Sequence, residues 1–330
     1  MLNLSRRKKT VIPSATRRAP CPGSARRAVA LVLLLATAGG GPAPAAPAAT
    51  VAPATPLPTA VIGKLRLYTV GEWDTLHEIA AAESLGFVEL AAANPGVDPW
   101  LPLAGTLLVL PTAHLLPDAP REGVVINLAD QRLYFFPPGD AAPVSYPIGI
   151  GKAGDETPLG ETRIVGKRAD PVWYPPDSIR AENPDLPAAV PPGECNPLGS
   201  HAIDLAWSGY VVHGTNKPLG IGRRVSHGCI RLYPDDIAAL FAAVRVGMPV
   251  RVVDQPVKLG WSAGELYLEV HPTQSQADEI ERHGRFTPAP IADLSARIHR
   301  AVGIDSARLD WTIIESAARL RLGYPVQITR

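Results

Sequence analysis

The stretch V-H-G-T-N-K-P-L-G-I-G-R-R-V-S-H-G-C-I-R-L, residues 212–232, places two histidines, a cysteine and an arginine in one glycine-rich segment. The V-V-H at its start and the C-I-R-L at its end have the apolar, β-branched character of strand ends. Few structural requirements call for this combination of side chains. The stretch therefore predicts neighbouring strands that carry a thiol active site.

Cys229 is the candidate nucleophile of this site. A cysteine thiol is mostly protonated at neutral pH and needs a base or a positive field to form the reactive thiolate. His213 lies sixteen residues earlier in the chain, and pairing of the two strands would bring it to Cys229, so we expect it to be the general base. His227 would share a face with Cys229 on an extended chain and is expected to polarise the thiol or position substrate.

Two further residues complete this candidate site. Gly228 has no side chain, so a substrate carbonyl can approach backbone N–H groups that serve as an oxyanion hole. Arg231 follows Cys229 by two residues and could bind a substrate carboxylate through its planar guanidinium group. A helix in Y-P-D-D-I-A-A-L-F-A-A-V, capped near Asp235, is expected to favour the thiolate with its positive end.

The motifs H-G-T-N at residues 213–216 and S-H-G-C-I-R at 226–231 resemble the signature of the YkuD-type L,D-transpeptidases, bacterial enzymes that remodel peptidoglycan. The longer pattern is similar to the periplasmic subgroup that links lipoprotein to the cell wall. The resemblance implies a β-sandwich catalytic domain with Cys229 as nucleophile and His213 as general base. It also implies that the Gly214 carbonyl orients the histidine. The residues that line the substrate site are then Ser226, His227, Gly228 and Arg231.

Two structural alternatives to a catalytic thiol remain open at this point. Cys195 and Cys229 could join the two histidines in a Cys2His2 zinc site, although the paired cysteine knuckles typical of structural zinc are absent. Cys195 and Cys229 could instead form a disulfide in an exported protein. We expect no metal and no organic cofactor, because thiol acyl transfer requires neither.

The N-terminal region predicts export. Residues 1–47 combine a long basic segment, an apolar core at 28–38 and a small-residue tail, as a signal peptide does, although an uncleaved signal could act as a membrane anchor. The mature protein is expected to be periplasmic. Residues 48–63 are rich in alanine and proline and predict an extended linker.

The segment 64–112 predicts a small domain of two strands and two helices in the order βααβ. An N-cap at Asp74 precedes the first helix, and Asn94-Pro95-Gly96 ends the second. This order, with Asp74-Thr75-Leu76, resembles the LysM module, which binds peptidoglycan glycan strands. The family commonly has Gly-Asp-Thr where this chain has Trp73-Asp74-Thr75.

The remaining sequence predicts a mainly β chain. Residues 120–254 alternate like strands, with a hairpin turn at Ala129-Asp130 and a closing strand before Asp254, and form the expected catalytic domain. Residues 255–330 predict an α+β C-terminal extension of unassigned role, with a strand in G-E-L-Y-L-E-V and two amphipathic helices after it.

The expected function is an L,D-transpeptidase that forms a thioester with a tetrapeptide stem. The acceptor would be an amine of another stem, giving a 3-3 crosslink, or a lysine of an outer-membrane lipoprotein. Two other functions remain open: an L,D-carboxypeptidase that uses water as acceptor, and a non-catalytic peptidoglycan-binding protein. A net charge of +1 argues against a nucleic-acid partner.

Overall fold

The computed structural model describes residues 61–330, so the predicted signal peptide and residues 48–60 of the predicted linker lie outside the described residues. The strands of the described part are β1 (Val61–Gly63), β2 (Arg66–Thr69), β3 (Leu107–Leu110), β4 (Ala113–Leu115), β5 (Gly123–Asn127), β6 (Arg132–Phe136), β7 (Val144–Pro147), β8 (Ile150–Gly151), β9 (Gly160–Ala169), β10 (His201–Leu205), β11 (Val211–His213), β12 (Arg224–Ser226), β13 (Ile230–Arg231), β14 (Pro249–Val253), β15 (Val257–Ser262), β16 (Glu265–Val270) and β17 (Val326–Gln327). The α-helices are α1 (Leu76–Ala82), α2 (Phe87–Ala93), α3 (Asp177–Glu182), α4 (Pro234–Ala243), α5 (Gln274–His283), α6 (Leu294–Val302) and α7 (Trp311–Leu320).

The first described residues are a strand and not linker. β1 pairs antiparallel with β4, Val61 lying opposite Leu115. The predicted end of the linker at residue 63 is therefore wrong by these three residues, because pairing with β4 supplies the hydrogen bonds that an extended linker would leave to water.

Segment 64–112 has the predicted βααβ order, and β2 and β3 pair antiparallel around α1 and α2. The predicted helix cap at Asp74 is wrong by one residue. Thr75 is the N-cap of α1, and its side chain and that of Glu78 form a reciprocal capping box. The Asp74 carboxylate instead accepts hydrogen bonds from the Tyr68 hydroxyl and the Gly71 N–H, both at 2.7 Å.

The central structure is an eight-stranded sheet in the order β13-β11-β10-β9-β14-β5-β6-β7. Its core combines apolar residues of these strands with the buried face of α4, which contributes Ile237 and Leu240. The predicted hairpin β5–β6 and the predicted closing strand β14 are both present. The sequence prediction of a mainly β chain is confirmed.

The two edges of this sheet meet. Gly149 follows the edge strand β7 by two residues and exchanges two backbone hydrogen bonds of 2.9 Å with Arg231 in the opposite edge strand β13. A flat sheet of eight strands would hold its edges roughly 30 Å apart, so the sheet must curve back on itself. This closure brings the loop after β7 to the segment that carries Cys229.

The C-terminal extension forms a three-stranded antiparallel sheet, β15-β16-β17, covered by α6 and α7. The predicted strand and both predicted helices are present as β16, α6 and α7. Helix α5 was not predicted, and it packs elsewhere: its residues Ala277 and Ile280 belong to the apolar core of the βααβ segment. The extension therefore completes the core of a segment at the other end of the described chain.

Buried charged residues join the βααβ segment, the eight-stranded sheet and the C-terminal extension. Arg132 of β6 donates to both carboxylate oxygens of Glu89 in α2, at 2.9 and 2.8 Å. Lys258 of β15 lies 2.8 Å from Asp130 and 2.7 Å from Glu269, and all three side chains are almost fully buried. Because a buried charge requires a partner, the Arg132–Glu89 pair fixes β6 against α2, and the Lys258–Asp130 pair fixes β15 against the turn that follows β5.

Residues 175–188 belong to a second compact unit, in which α3 begins after Pro176 and ends before Asn183. No helix within residues 61–330 has both the length and the hydropathy needed to cross a membrane.

Candidate active site

The sheet brings the two halves of the candidate site together. β11 and β13 run parallel as neighbours, with Val212 opposite Ile230 and His213 opposite Arg231. Val212 and Ile230 are buried in the main core. Because side chains alternate along a strand, His213 and Arg231 lie together on the other face, where Cys229 leads into β13.

His213 is held as a neutral imidazole. Its Nδ1 lies 2.7 Å from the carbonyl oxygen of Gly214, which can only accept, so Nδ1 carries the ring proton and Nε2 keeps a lone pair. Burial lowers the pKa of His213 to about 3, helped by the nearby Arg231 guanidinium. The ring therefore stays neutral at physiological pH and can accept a proton at Nε2.

No carboxylate orients this histidine through the neighbouring strand. Asp204 lies opposite Val211 on β10, where a carboxylate could approach His213. Its oxygens instead bind the Arg168 guanidinium at 3.0 and 2.7 Å. The Gly214 carbonyl is left as the orienting group, the role that the family resemblance implies for it.

Cys229 is a free thiol beside the β10–β11 turn. Its Sγ lies 3.5 Å from the Gly209 carbonyl oxygen. Burial raises the pKa of the thiol, against the opposing effects of the Val211 N–H and the Arg231 guanidinium. The thiol is therefore protonated at neutral pH. Because Cys229 is a free cysteine, the alternative of a disulfide with Cys195 is wrong.

The expected contribution of helix α4 to the thiolate is not found. The N-cap is Tyr233 and the first helical residue is Pro234, with Asp235 and Asp236 in the first turn. These two carboxylates oppose the positive end of the helix. We therefore expect activation of the thiol to come from His213 and Arg231.

Gly228 makes a tight turn before the nucleophile. Its φ is +95°, and a Cβ there would lie 2.8 Å from the Tyr210 ring, so glycine is required on two grounds. The buried Thr157 hydroxyl donates to the Gly228 carbonyl at 2.8 Å and accepts from the Gly151 N–H at 3.1 Å. One side chain thus ties the loop after β8 to the nucleophile turn.

Ser226 and His227 occupy different environments. Ser226 is 1% exposed, and its hydroxyl donates to the Cys229 carbonyl, which holds the turn and keeps the hydroxyl from solvent. The turn at Gly228 also means that His227 and Cys229 do not lie on one extended segment, contrary to the sequence expectation. His227 is partly exposed, and its Nε2 lies 3.0 Å from Lys152 Nζ.

Arg231 has a buried polar atom, Nε, without a hydrogen-bond partner. Burial lowers the pKa of the guanidinium, although the neighbouring Cys229 opposes this shift. A buried donor without an acceptor is costly, so this position suits a substrate carboxylate or carbonyl.

The ligands of the zinc alternative are not brought together. Within residues 61–330, no cluster of metal-ligating side chains includes Cys229, Cys195 or His213. Asp130, Glu269 and His271 do lie close enough to share an ion. The Lys258 ammonium occupies that position, 2.8 Å from Asp130 and 2.7 Å from Glu269, and supplies the positive charge itself.

The chain is similar to known L,D-transpeptidases over most of its length. The family model of the YkuD L,D-transpeptidase catalytic domain matches residues 121–252. The probable L,D-transpeptidase YcfS of Escherichia coli K12 is 41% identical over 288 residues, 83% of this chain and 88% of that protein. The probable L,D-transpeptidase YbiS of the same strain is 39% identical, over 83% of this chain and 91% of its own length.

Solved structures match over a smaller part of the chain. L,D-transpeptidase 3 from Mycobacterium tuberculosis aligns with 45% of this chain and 67% of its own, at 21% identity and a TM-score of 0.32.

A partly buried thiol, a neutral imidazole oriented by a backbone carbonyl, and a guanidinium on one face of a curved β-sheet are the kinds of group that a cysteine acyltransferase uses. The identity to YcfS and YbiS extends over most of this chain. The chain belongs to the YkuD-type L,D-transpeptidase family.

Three residues of this site were not identified from the sequence. Tyr210, Thr157 and Lys152 lie beside Gly228 or His227. Thr157 is 71 residues away from Gly228 in the chain, so no local pattern could indicate the contact. The motif T-P-L-G, which begins at Thr157, indicates a turn, but it does not indicate which groups the Thr157 hydroxyl binds.

Proposed function

We propose that this chain is an exported L,D-transpeptidase that acts on the tetrapeptide stems of peptidoglycan through a thioester at Cys229. The observation that carries the proposal is the pairing of β11 with β13, which sets a neutral His213 and Cys229 on one side of the sheet. The remaining contacts support a proposed role for each nearby group.

The first half of the reaction forms the thioester. His213 Nε2 accepts the Cys229 proton while Sγ attacks the carbonyl carbon of the third stem residue. Because burial lowers the pKa of His213 and raises that of Cys229, a resting ion pair is disfavoured and proton transfer accompanies the attack. The backbone N–H groups at Gly228 and Cys229 receive the developing oxyanion. The C–N bond then breaks, and His213 returns the proton to the leaving D-alanine amine.

The second half transfers the acyl group. An acceptor amine attacks the thioester carbonyl, His213 takes the amine proton, and the C–S bond breaks to regenerate the thiol. An amine of a second stem gives a 3-3 crosslink, and a lipoprotein lysine gives a wall-bound protein. Water in place of the amine gives the L,D-carboxypeptidase alternative.

Arg231 and His227 are the proposed substrate-binding side chains. The buried Nε of Arg231 offers a donor to a stem carboxylate or carbonyl. His227, with Lys152 at 3.0 Å, presents a partly exposed polar group beside the nucleophile turn. For Ser226 we propose a positioning role, since its hydroxyl is already bound to the Cys229 carbonyl.

The βααβ segment is proposed to be a LysM-like module that binds glycan strands. Its βααβ order supports this proposal, as do two exposed tryptophans, Trp73 at 89% and Trp100 at 64%. Aromatic rings of this kind present broad apolar faces to a ligand. Loss of pull-down by insoluble peptidoglycan in Trp73→Ala, with acylation intact, is the expected result; unchanged binding would assign the module a structural role.

The proposed localisation is the periplasm, supported by the signal-like residues 1–47. Fractionation followed by mass spectrometry of the mature N-terminus tests it. Cleavage within the small-residue tail is expected, and an intact N-terminus in the membrane fraction would indicate an anchored form.

The decisive experiment is intact mass spectrometry of the purified protein with a tetrapeptide-stem muropeptide and, separately, with a carbapenem. We expect adducts in the wild type and none in Cys229→Ala, together with release of D-alanine. Stem dimers identify a transpeptidase, whereas tripeptide stems alone identify the carboxypeptidase. The absence of any adduct and of turnover would leave the non-catalytic binding protein.

A further inference from the structure

The nucleophile segment is anchored from outside the catalytic sheet. The three-residue strand β12 ends at Ser226, three residues before Cys229, and its only partner among the strands of residues 61–330 is the two-residue strand β8. Strand pairs of this length have little stability of their own. The position of Cys229 therefore depends on what holds β12.

Two arginines of this segment bind one face of helix α5. Arg224 Nη1 lies 2.6 Å from Asp278, and the Arg224 side chain is only 7% exposed. Arg223 forms an ion pair with Glu281, one turn further along the same helix. Asp278 and Glu281 are three residues apart, so a single helical face receives both guanidinium groups.

Helix α5 is itself fixed through an adjacent face. Its residues Ala277 and Ile280 are buried in the core of the βααβ segment. The N-terminal end of α2 also binds the same loop directly, with the Phe87 N–H donating to the Ile221 carbonyl at 3.3 Å and the Val88 N–H to the Gly222 carbonyl at 3.1 Å. The loop is thus attached to α5 and to α2, which share one apolar core.

We propose that Asp278 and Glu281 are positioning residues for the reaction at Cys229, acting through Arg224 and Arg223. Removing the charge of Asp278 leaves the nearly buried Arg224 guanidinium without its partner. β12 then shifts so that Arg224 reaches water. The nucleophile turn moves with it, because Ser226 is bound to the Cys229 carbonyl.

The first consequence is for catalysis. A displacement of about 1 Å at reacting groups can slow a reaction about a hundredfold, so we expect Asp278→Asn to lower the acylation rate by about tenfold to a hundredfold. The second consequence is for the thiol. A loosened turn exposes Sγ, and the burial that raises the pKa of Cys229 is reduced. The apparent thiol pKa should therefore fall in this variant.

The test measures both quantities in the full chain. Acylation by a tetrapeptide stem is followed by intact mass spectrometry, and the apparent thiol pKa comes from the pH dependence of iodoacetamide alkylation, with Cys229→Ala as background. The acylation rate is normalised to the folded fraction from urea unfolding, and the thiol pKa is taken from the pH range in which the variant is folded. Glu265→Gln is the matched control, since Glu265 pairs with Arg308 at 2.7 Å in the same extension and does not contact the loop.

The expected result is slower acylation and a lower thiol pKa in Asp278→Asn, with neither change in Glu265→Gln. If Asp278→Asn folds poorly, the more exposed pair takes its place: Glu281→Gln should show both effects, and the charge exchange Arg223→Glu with Glu281→Arg should restore them. An acylation rate or a thiol pKa equal to that of the control overturns the proposal.

The proposal rests on the proposed thioester chemistry only for its acylation arm. A wild-type protein that is not acylated refutes the proposed function, and the alkylation pKa then decides alone whether α5 positions Cys229.

Discussion

Thr157 provides the sharpest test of how the nucleophile turn is held. Its hydroxyl is buried and serves two backbone groups at once, the Gly151 N–H at 3.1 Å and the Gly228 carbonyl at 2.8 Å. Thr157→Val preserves the branched shape and removes only this hydroxyl. Both backbone groups then lose their partner in a site that water does not reach.

The magnitude follows from these two hydrogen bonds. Each contributes about 0.5–1.5 kcal/mol net, and leaving a buried polar group unsatisfied adds to that loss, so we expect a loss of about 2–4 kcal/mol in the free energy of unfolding. The Gly228 turn, with its positive φ, loses a restraint one residue before the nucleophile. We therefore expect the acylation rate to fall about tenfold or more.

Urea unfolding and stem acylation measure the two effects. Thr157→Ser keeps the hydroxyl and loses a methyl group, so it is the matched control and should retain most of the acylation rate. The reasoning is refuted if the valine and serine variants are equally active and equally stable. It is also refuted if the valine variant is destabilised while its folded fraction reacts at the wild-type rate, because the hydroxyl would then have no part in placing the turn.

Two further predictions concern ionisation. Because the pKa of His213 is about 3 and that of Cys229 is raised, the neutral imidazole and the protonated thiol keep one protonation state, and the acylation rate measured by rapid mixing should stay nearly constant from about pH 5 to 8; an activity loss centred near pH 6.5 would contradict a neutral His213. Lys258→Met should lower stability to urea by about 3–5 kcal/mol, because it leaves Asp130 and Glu269 facing each other without a cation. Burial acts to raise the pKa of Asp130, but Lys258, His271 and the Tyr134 hydroxyl together outweigh it, and the net shift is downward. In the wild type, the stability that Asp130 contributes is therefore present above its unfolded pKa and is lost as the pH falls through its lower folded pKa. A Lys258→Met variant with the stability and the acid sensitivity of the wild type would contradict this account.

The reactive pair could be predicted from sequence because the information is local. Alternating apolar residues specify β11 and β13, and the polar residues at their ends specify the chemistry. The motif resemblance added the role of the Gly214 carbonyl, where the structure has the 2.7 Å contact with His213. The state of the thiol could not be predicted, because burial depends on the whole fold.

Two errors have identifiable causes. Asp74 and Thr75 are both good N-cap residues, but only Thr75 has a glutamate three residues later to complete a capping box. Helix α5 was missed because Q-S-Q-A-D-E-I-E-R-H has few apolar residues to show a period. Its cap at Thr273 with Gln276, and Gly284 at its C-terminal end, were signals that could have indicated it.

The sharing of one core by α5 and the βααβ segment also bears on how the protein is made. A ribosome delivers the βααβ segment first, but Ala277 and Ile280 emerge about two hundred residues later. The segment that is synthesised first therefore acquires its complete interior only after the whole catalytic sheet has left the ribosome. A nascent chain halted before residue 274 should expose apolar surface to chaperones, and release of the last helices should close it.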